Sequence, residues 1–394
     1  INGLEPIRHM AANNDDLQEE IDFSLTGSKS YVWGLTLQSE LHVRESNLSN
    51  DNLNSDDLGF RISFNQSLYP QIPIKAEQNY IKQKLNLKTA QAKYQAEKND
   101  KLVTWIEDYL NLIRLKERYQ LAVKDQKLAA DNSNEVQAKR AIGEAGAKDI
   151  LAAKIEIKTA QQNLKQAKSS YQQARKKLNQ ALGLDDSQEL VVTANSSYLQ
   201  DLKEKVSRLL PELDNKNKLM DLAASNSAKI LTNQLEQKRL KRELEWSKAE
   251  GKPNVSFNAN YDSLQEEWAA KVNLAYNLLD SGQQELEVED VKAQLTSSQR
   301  HYDNLVSSLE VEVDNLLEQI KISKINLEEK ELSLAKAQLT QEIVKEQLEK
   351  GLIDEFDVEQ KTIKYRRSKL DFKEAQDKLL VSKLRLVEFL GREL

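Results

Sequence analysis

The chain has 394 residues, 30% of them charged, a net charge of -6, no cysteine, 11 glycines and 5 prolines, where average usage would give about 28 glycines and about 20 prolines. These figures exclude a disulfide framework, a thiolate metal site, a collagen-like or proline-rich chain, and the basic footprint of a nucleic-acid binder. They also leave too few turn formers for an ordinary β-sandwich or α/β enzyme, and no run of 18 apolar residues marks a transmembrane helix. No signal-peptide pattern opens the sequence, so a mature or trimmed start is expected.

The N-terminal segment admits two readings. Aligned on the later segment around Ile230, Leu17 matches Ile230 and Trp33 matches Trp246 at one offset. That register predicts a short helix to about 37 and a first strand from about 39. Alternation of Tyr31, Trp33, Leu35, Leu37, Ser39, Leu41 and Val43 allows a strand from 31 instead, and Gly27 and Gly34 argue against the helix. We take the helix followed by a β-hairpin over about 39–69 as the expectation. In its second strand Leu58, Phe60, Ile62, Phe64 and Leu68 alternate with Gly59, Arg61, Ser63, Asn65 and Ser67.

Residues 74–142 then contain neither Gly nor Pro, as do 147–182, 212–250, 283–350 and 352–390. These windows are rich in Lys, Glu, Gln, Leu and Ala, which favour helix. A helix of the first window's size would run about 100 Å at 1.5 Å per residue, so long helical hairpins are predicted over 72–142 with 147–182 and over 283–350 with 352–390. Each returning helix carries a 3.5-residue seam. Ile150, Ile157, Leu164, Tyr171 and Leu178 stand beside Ala153, Ala160, Ala167, Ala174 and Ala181, and Val358 to Leu386 repeat the pattern. Ile155 and its counterpart Ile363 lie off the seam and point to a contact on a second side. Between the hairpins, Val255, Phe257, Ala259 and Tyr261 alternate with Asn and Ser, and Trp268 to Leu278 alternate after a short acidic loop. Strands of this length, aromatic on one face and polar on the other, suit a bilayer-crossing β-hairpin, the alternative being a soluble sheet with one buried face.

Gly143 and Gly351, Asp149 and Asp357, and Gly183 and Gly391 are each separated by 208 positions. The sequence therefore reads as an internal tandem duplication, with repeats over 1–210 and 211–394. Four strands cannot close a membrane barrel and an open edge in lipid is too costly, so membrane strands would require several copies.

At this point the chain resembles the TolC-type outer-membrane efflux channels. The resemblance rests on Gly351-Leu352-Ile353 with Asp357-Val358 and Leu390-Gly391, and on Gly143 with Asp149-Ile150 and Leu182-Gly183. Leu278-Leu279-Asp280-Ser281-Gly282, Leu68-Tyr69-Pro70 and Asn13-Asn14-Asp15-Asp16-Leu17 add to it. It implies a mainly α homotrimer whose long helical hairpins form an α-barrel continued by a 12-stranded β-barrel, four strands per protomer. It further implies the bacterial outer membrane, with the helical part in the periplasm and the barrel in outer-membrane lipid. The partners implied are a periplasmic membrane-fusion adaptor and an inner-membrane pump, with no nucleic acid, cofactor, metal or catalysis.

By motif match the entrance ring falls on Asp357, with Asp354 nearby, because carboxylates repeated round a threefold axis concentrate negative charge and select cations. Asp354 reads equally as a helix N-cap, whereas for Asp357 the pore ring is preferred over a first-turn acid favoured by the helix dipole. Gly143, Gly146, Asp149, Gly351, Leu352 and Ile353 form the helical tips where an adaptor would dock. Trp33, Trp246 and Trp268 are candidates for the membrane boundary, where Trp is enriched. The rival reading is a soluble coiled-coil scaffold or a membrane-tethering periplasmic adaptor. His9, His42 and His301 have no metal-ligand spacing, and no phosphate loop or catalytic signature occurs.

Overall fold

The computed structural model describes residues 5–9, 20–31, 34–45, 58–185, 192–193, 197–210, 215–277 and 280–392. Six strands, β1 (Glu5–His9), β2 (Glu20–Ser30), β3 (Leu35–Glu45), β4 (Leu58–Tyr69), β5 (Asn254–Asp262) and β6 (Glu267–Ala275), form one antiparallel sheet in chain order. Among the described residues there are seven helices: α1 (Lys75–Ala141), α2 (Ala147–Ala181), α3 (Ser197–Leu209), α4 (Lys216–Asn226), α5 (Ala228–Glu250), α6 (Gln283–Glu349) and α7 (Glu355–Phe389). No helix among the described residues is long and apolar enough to cross a membrane.

The first and second helical hairpins match in length. α1 and α6 have 67 residues each, and α2 and α7 have 35 each. Each of the four ends in the same way, with a glycine of positive φ at Gly143, Gly183, Gly351 and Gly391. The amide after the glycine reaches back five residues, as in Glu144 N–H to Lys139 O at 2.8 Å and Leu352 N–H to Gln347 O at 2.9 Å. Such a cap satisfies carbonyls that a helix otherwise leaves unpaired at its end.

The compact units cut across the two sequence repeats. One unit comprises 1–91 with 232–303, and the other 92–231 with 304–394.

In the second unit α1 lies between α2 and α7, and α6 packs on the other flank of α7. Tyr119 of α1 stacks on Tyr171 of α2 with ring centres 6.0 Å apart, and Lys177 reaches Asp108 at 2.7 Å. On the α7–α6 side, Ser323 and Ser382 share a 3.0 Å hydrogen bond and Gln341 donates to Thr362 at 2.9 Å. The layer order is thus α2–α1–α7–α6. The small-residue seam is inside, with Ala153, Ala160 and Ala375 buried. Ile363 is buried too, because α7 has a helix on each flank, whereas Ile155 on the layer's edge is 66% exposed. Helix α4 is fastened to α6 through Lys216 with Glu310 and Asp314, and α3 buries Leu199, Leu202 and Val206.

In the first unit α5 packs against the start of α1 and α6. Lys82 pairs with Glu243 at 2.7 Å, Lys75 with Glu250, and Asn233 donates to Ser298.

The N-terminal expectation is corrected here. In place of a helix to about 37 and a strand from about 39, residues 20–30 and 35–45 are two paired strands. Among the described residues the sheet accordingly has six strands where four were expected. Gly34 supplies the reason: it takes φ +89° in the β2–β3 turn and donates to Tyr31 O at 3.0 Å, and each glycine inside a helix would cost about 1 kcal/mol relative to alanine. Gly27 faces Ser39 across the pair. The predicted helix opening at Asn13–Leu17 and the crossing residues Leu278 and Leu279 lie outside the described residues.

Candidate functional site

The two faces of the sheet differ sharply. Across the registers Leu25, Leu41 and Phe60 adjoin on one face, as do Ile62, Tyr261 and Trp268, with Val255 opposite Leu274 and Phe257 opposite Val272. Phe60 and Tyr261 have ring centres 5.7 Å apart, and Tyr261 and Trp268 are 4.8 Å apart. This apolar face is uncovered: Trp268, Val272 and Leu274 are 70%, 65% and 72% exposed. An apolar patch on that scale in a single chain needs a lipid or protein partner.

The opposite face carries Ser63, Asn65, Ser256, Asn258, Asn260 and Asn273, with Asn65 bonded to Asn258 at 2.7 Å. Arg61 bonds Asp262 through Nε at 3.1 Å and through Nη2 at 2.7 Å, and Glu40 stands 3.8 Å from Arg61.

At the tips, the α1–α2 and α6–α7 turns use different halves of one capping arrangement. Asp354 is the N-cap of α7, accepting from Asp357 N–H at 2.9 Å. In the first tip Gly146 holds the N-cap position, and Asp149 reaches back to accept from Gly146 N–H at 2.9 Å. The sequence allowed Asp354 to be either cap or pore ring, and its carboxylate does cap. Asp357, three residues on, is half-buried, and no described side chain hydrogen-bonds its carboxylate. Near the tips Gln360 of α7 donates to Glu156 of α2 at 3.4 Å, and the Lys139 pKa is raised, chiefly by its hydrogen bond to Glu135 and that carboxylate's charge. Leu352 is 69% exposed and Ile353 partly covered.

Of the tryptophans expected at a membrane boundary, Trp268 stands at the turn end of β6 on the exposed apolar face. Trp246 is instead 7% exposed on α5, with Lys82 Nζ 6.0 Å from its ring centre. It faces inward with Leu240 and Ala249 because that stripe of α5 packs on the neighbouring helices. Trp33 lies outside the described residues. Among the described residues no cluster of three or more His, Asp or Glu is placed to hold a metal.

An ion-pair ladder between α1 and α7 was not legible beforehand. Arg385 meets Asp100 at 2.8 Å and Glu107 at 3.3 Å, Arg114 meets Asp377 at 2.6 Å, and Arg118 meets Asp371 at 2.7 Å and Glu374 at 2.6 Å. Burial works against the Arg114 charge, but the hydrogen bonds and charges of Asp377 and Glu117 outweigh it and raise its pKa. Burial likewise opposes the Glu374 carboxylate, yet Arg118 and Lys378 hold it below the usual range. Glu388 moves the other way, pushed up by burial and by Asp100, with Arg385 and Lys229 offsetting only part. The only signal in the sequence is the spacing of Arg114 and Arg118 at i, i+4 against acids three apart at Asp371, Glu374 and Asp377.

No family model and no curated protein matches the chain. Solved structures do. VceC of Vibrio cholerae, an outer membrane protein, is 14% identical over 94% of this chain and 87% of its own, with a TM-score of 0.62. The CmeC outer membrane channel of Campylobacter jejuni is 13% identical over 95% and 78%, at 0.63, and the MtrE outer membrane channel of Neisseria gonorrhoeae 13% over 95% and 81%, at 0.62.

The fold is that of the outer-membrane channels.

Proposed function

We propose that the chain is a bacterial outer-membrane exit duct, a homotrimer that conducts solutes passively from the periplasm outward for an efflux or type I secretion system. The observation that carries this reading is that sheet and helical layer are both unclosed in one chain. Among the described residues the sheet has an uncovered apolar face and a free β6 edge, and the layer α2–α1–α7–α6 leaves its two flanks open. Its flanking helices carry exposed apolar residues: Leu151 and Ile155 on α2, and Ile325, Leu332, Leu339 and Ile343 on α6. Head-to-tail contacts that close into a ring satisfy both. Neighbouring strands must stay antiparallel round such a ring, so each copy contributes an even number. The β1–β2 pair therefore enters or leaves the barrel as a unit.

In this reading the polar sheet face lines a water-filled pore and the apolar face meets outer-membrane lipid. The equal hairpins, with their shared offset, support an internal duplication over 1–210 and 211–394. The tips, built from Gly143, Gly146, Asp149, Gly351, Leu352 and Ile353, form the periplasmic entrance. A membrane-fusion adaptor bridging to an inner-membrane pump docks there. Asp357, with Asp354 spent on the helix cap, supplies the entrance's negative ring, and opening moves the hairpins apart like an iris.

The test is planar-bilayer conductance of the purified, detergent-stable oligomer. Cation-selective conductance blocked by multivalent cations, with the block lost in Asp357→Ala, is the expected result. A trimer that never conducts, with or without the substitution, overturns the duct. Unchanged cation block in Asp357→Ala removes only the entrance assignment. Extraction as a soluble protein without detergent would favour the scaffold instead.

A further inference from the structure

The β5–β6 turn does not project from the sheet. It continues the β4–β5 register, in which Arg61 stands opposite Asp262 and Phe60 opposite Ser263, and it is tied to β4 by bonds between those pairs. Ser263 N–H donates to Phe60 O at 3.0 Å, and Phe60 N–H donates to Ser263 Oγ at 2.8 Å. Leu264 N–H donates to Asp262 Oδ1 at 3.0 Å, while Asp262 Oδ2 is gripped by Arg61 at 2.7 Å. Asp262 is buried in this arrangement, with 7% of its side chain exposed. A Glu266 φ of +53° completes the tight reversal.

The same register puts Leu264 opposite Gly59, on a specific face. Gly59 alternates with Arg61, Ser63 and Asn65, so a side chain at 59 would point to the polar face. A Cβ there would lie 2.6 Å from Leu264 Cγ and 2.5 Å from His42 Nε2. Leu264 thus fills the room that the missing side chain of Gly59 leaves, and it stays 44% exposed above it. Along β4, β5 and β6 the rest of that face toward the turn is Arg61, Ser63, Asn260, Asp262, Glu267 and Ala269. Leu264 is the one large apolar side chain among them. The turn also lies at the sheet end away from the helices, since Tyr69 leads to α1 and Asn254 follows α5.

We propose that the β5–β6 turns of the assembled copies together form a collar that narrows the outer mouth of the pore, with Leu264 on the polar face as its constricting residue. This rests on the duct reading, because only there is the polar face a lumen. A collar of this kind restricts by size and presents an apolar contact within a hydrophilic wall. Constrictions lined by apolar side chains also disfavour water-filled states. Polar solutes too large to keep their hydration past the collar are held back, and slender amphiphilic ones are passed.

The experiment is polymer exclusion from the outer side of a planar bilayer, with polyethylene glycols of graded mass added to that side alone. It reads the outer mouth independently of the periplasmic entrance. Leu264→Gly is expected to shift the entry cutoff to larger polymers and to raise single-channel conductance. Leu264→Trp is expected to shift both in the opposite sense. The same cutoff and conductance in both variants as in the parent, with Asp357-dependent cation block retained, overturns the collar. Absence of conductance in the parent as well as the variants overturns the duct itself, and the collar with it.

Discussion

Arg114 of α1 and Asp377 of α7 stand 263 positions apart in the chain, yet Nε and Oδ2 are 2.6 Å apart with 11% of either side chain exposed. The pair sits in the wall of an open groove of about 480 Å³ between α1, α6 and α7. Removing Asp377 leaves the partly shielded Arg114 charge with Glu117 alone to balance it. Asp377→Ala is therefore expected to cost about 3 kcal/mol, and a joint Arg114→Met, Asp377→Leu replacement much less. Denaturant midpoints followed by helical circular dichroism measure both. Equal losses in the single and double variants would mean the pair carries no such coupling.

The acidic groups of the same layer give two opposite pH dependences. The folded pKa of Glu374 lies below its ordinary value of 4.5. Its stabilisation is thus fully present above about pH 4.5 and is lost as pH falls through the folded value. Glu374→Gln should flatten the acid limb of a stability profile. Glu388 is raised above 4.5, so its contribution is best below that value and weakens as pH rises through the folded one. Glu388→Gln should raise the thermal midpoint at neutral pH and leave it unchanged below about pH 4. A uniform offset at every pH in either variant would rule out the linkage.

At the second tip two substitutions separate structure from conduction. Gly351 has φ +70° with open space where a Cβ would point, so Gly351→Ala costs only the left-handed backbone, about 1–2 kcal/mol. Asp354→Ala loses the cap on Asp357 N–H, about 1 kcal/mol. Asp357→Ala should alter thermal stability least of the three while changing cation block most. Calorimetry alongside conductance tells these outcomes apart.

For the sheet, Lys271 and Val272 are neighbours on opposite faces. Val272→Lys puts a cation on the apolar face and is expected to cost about 2–4 kcal/mol if that face meets the bilayer midplane. Ser256→Lys, on the polar face, should be tolerated. Heat-resistance of the folded barrel on electrophoresis reports both, and equal tolerance would argue that the apolar face does not meet lipid.

The four hairpin helices and their ends follow from the sequence alone. Sixteen Gly and Pro residues punctuate 394 positions, and only glycine adopts positive φ at little cost, so Gly143, Gly183, Gly351 and Gly391 mark the ends directly. Period-two alternation likewise determined β4, β5 and β6, since a strand shows its two faces locally. The segment over 20–45 was decided otherwise. Its repeat register favoured helix and its alternation favoured strand, and pairing along β3 resolved the conflict by satisfying backbone groups from residues far apart in sequence. The same holds for the ladder of Arg114, Arg118 and Arg385, and for Leu264 over Gly59. A lone arginine or glycine carries no record of the partner that folding brings to it, so only the tertiary structure could supply those contacts.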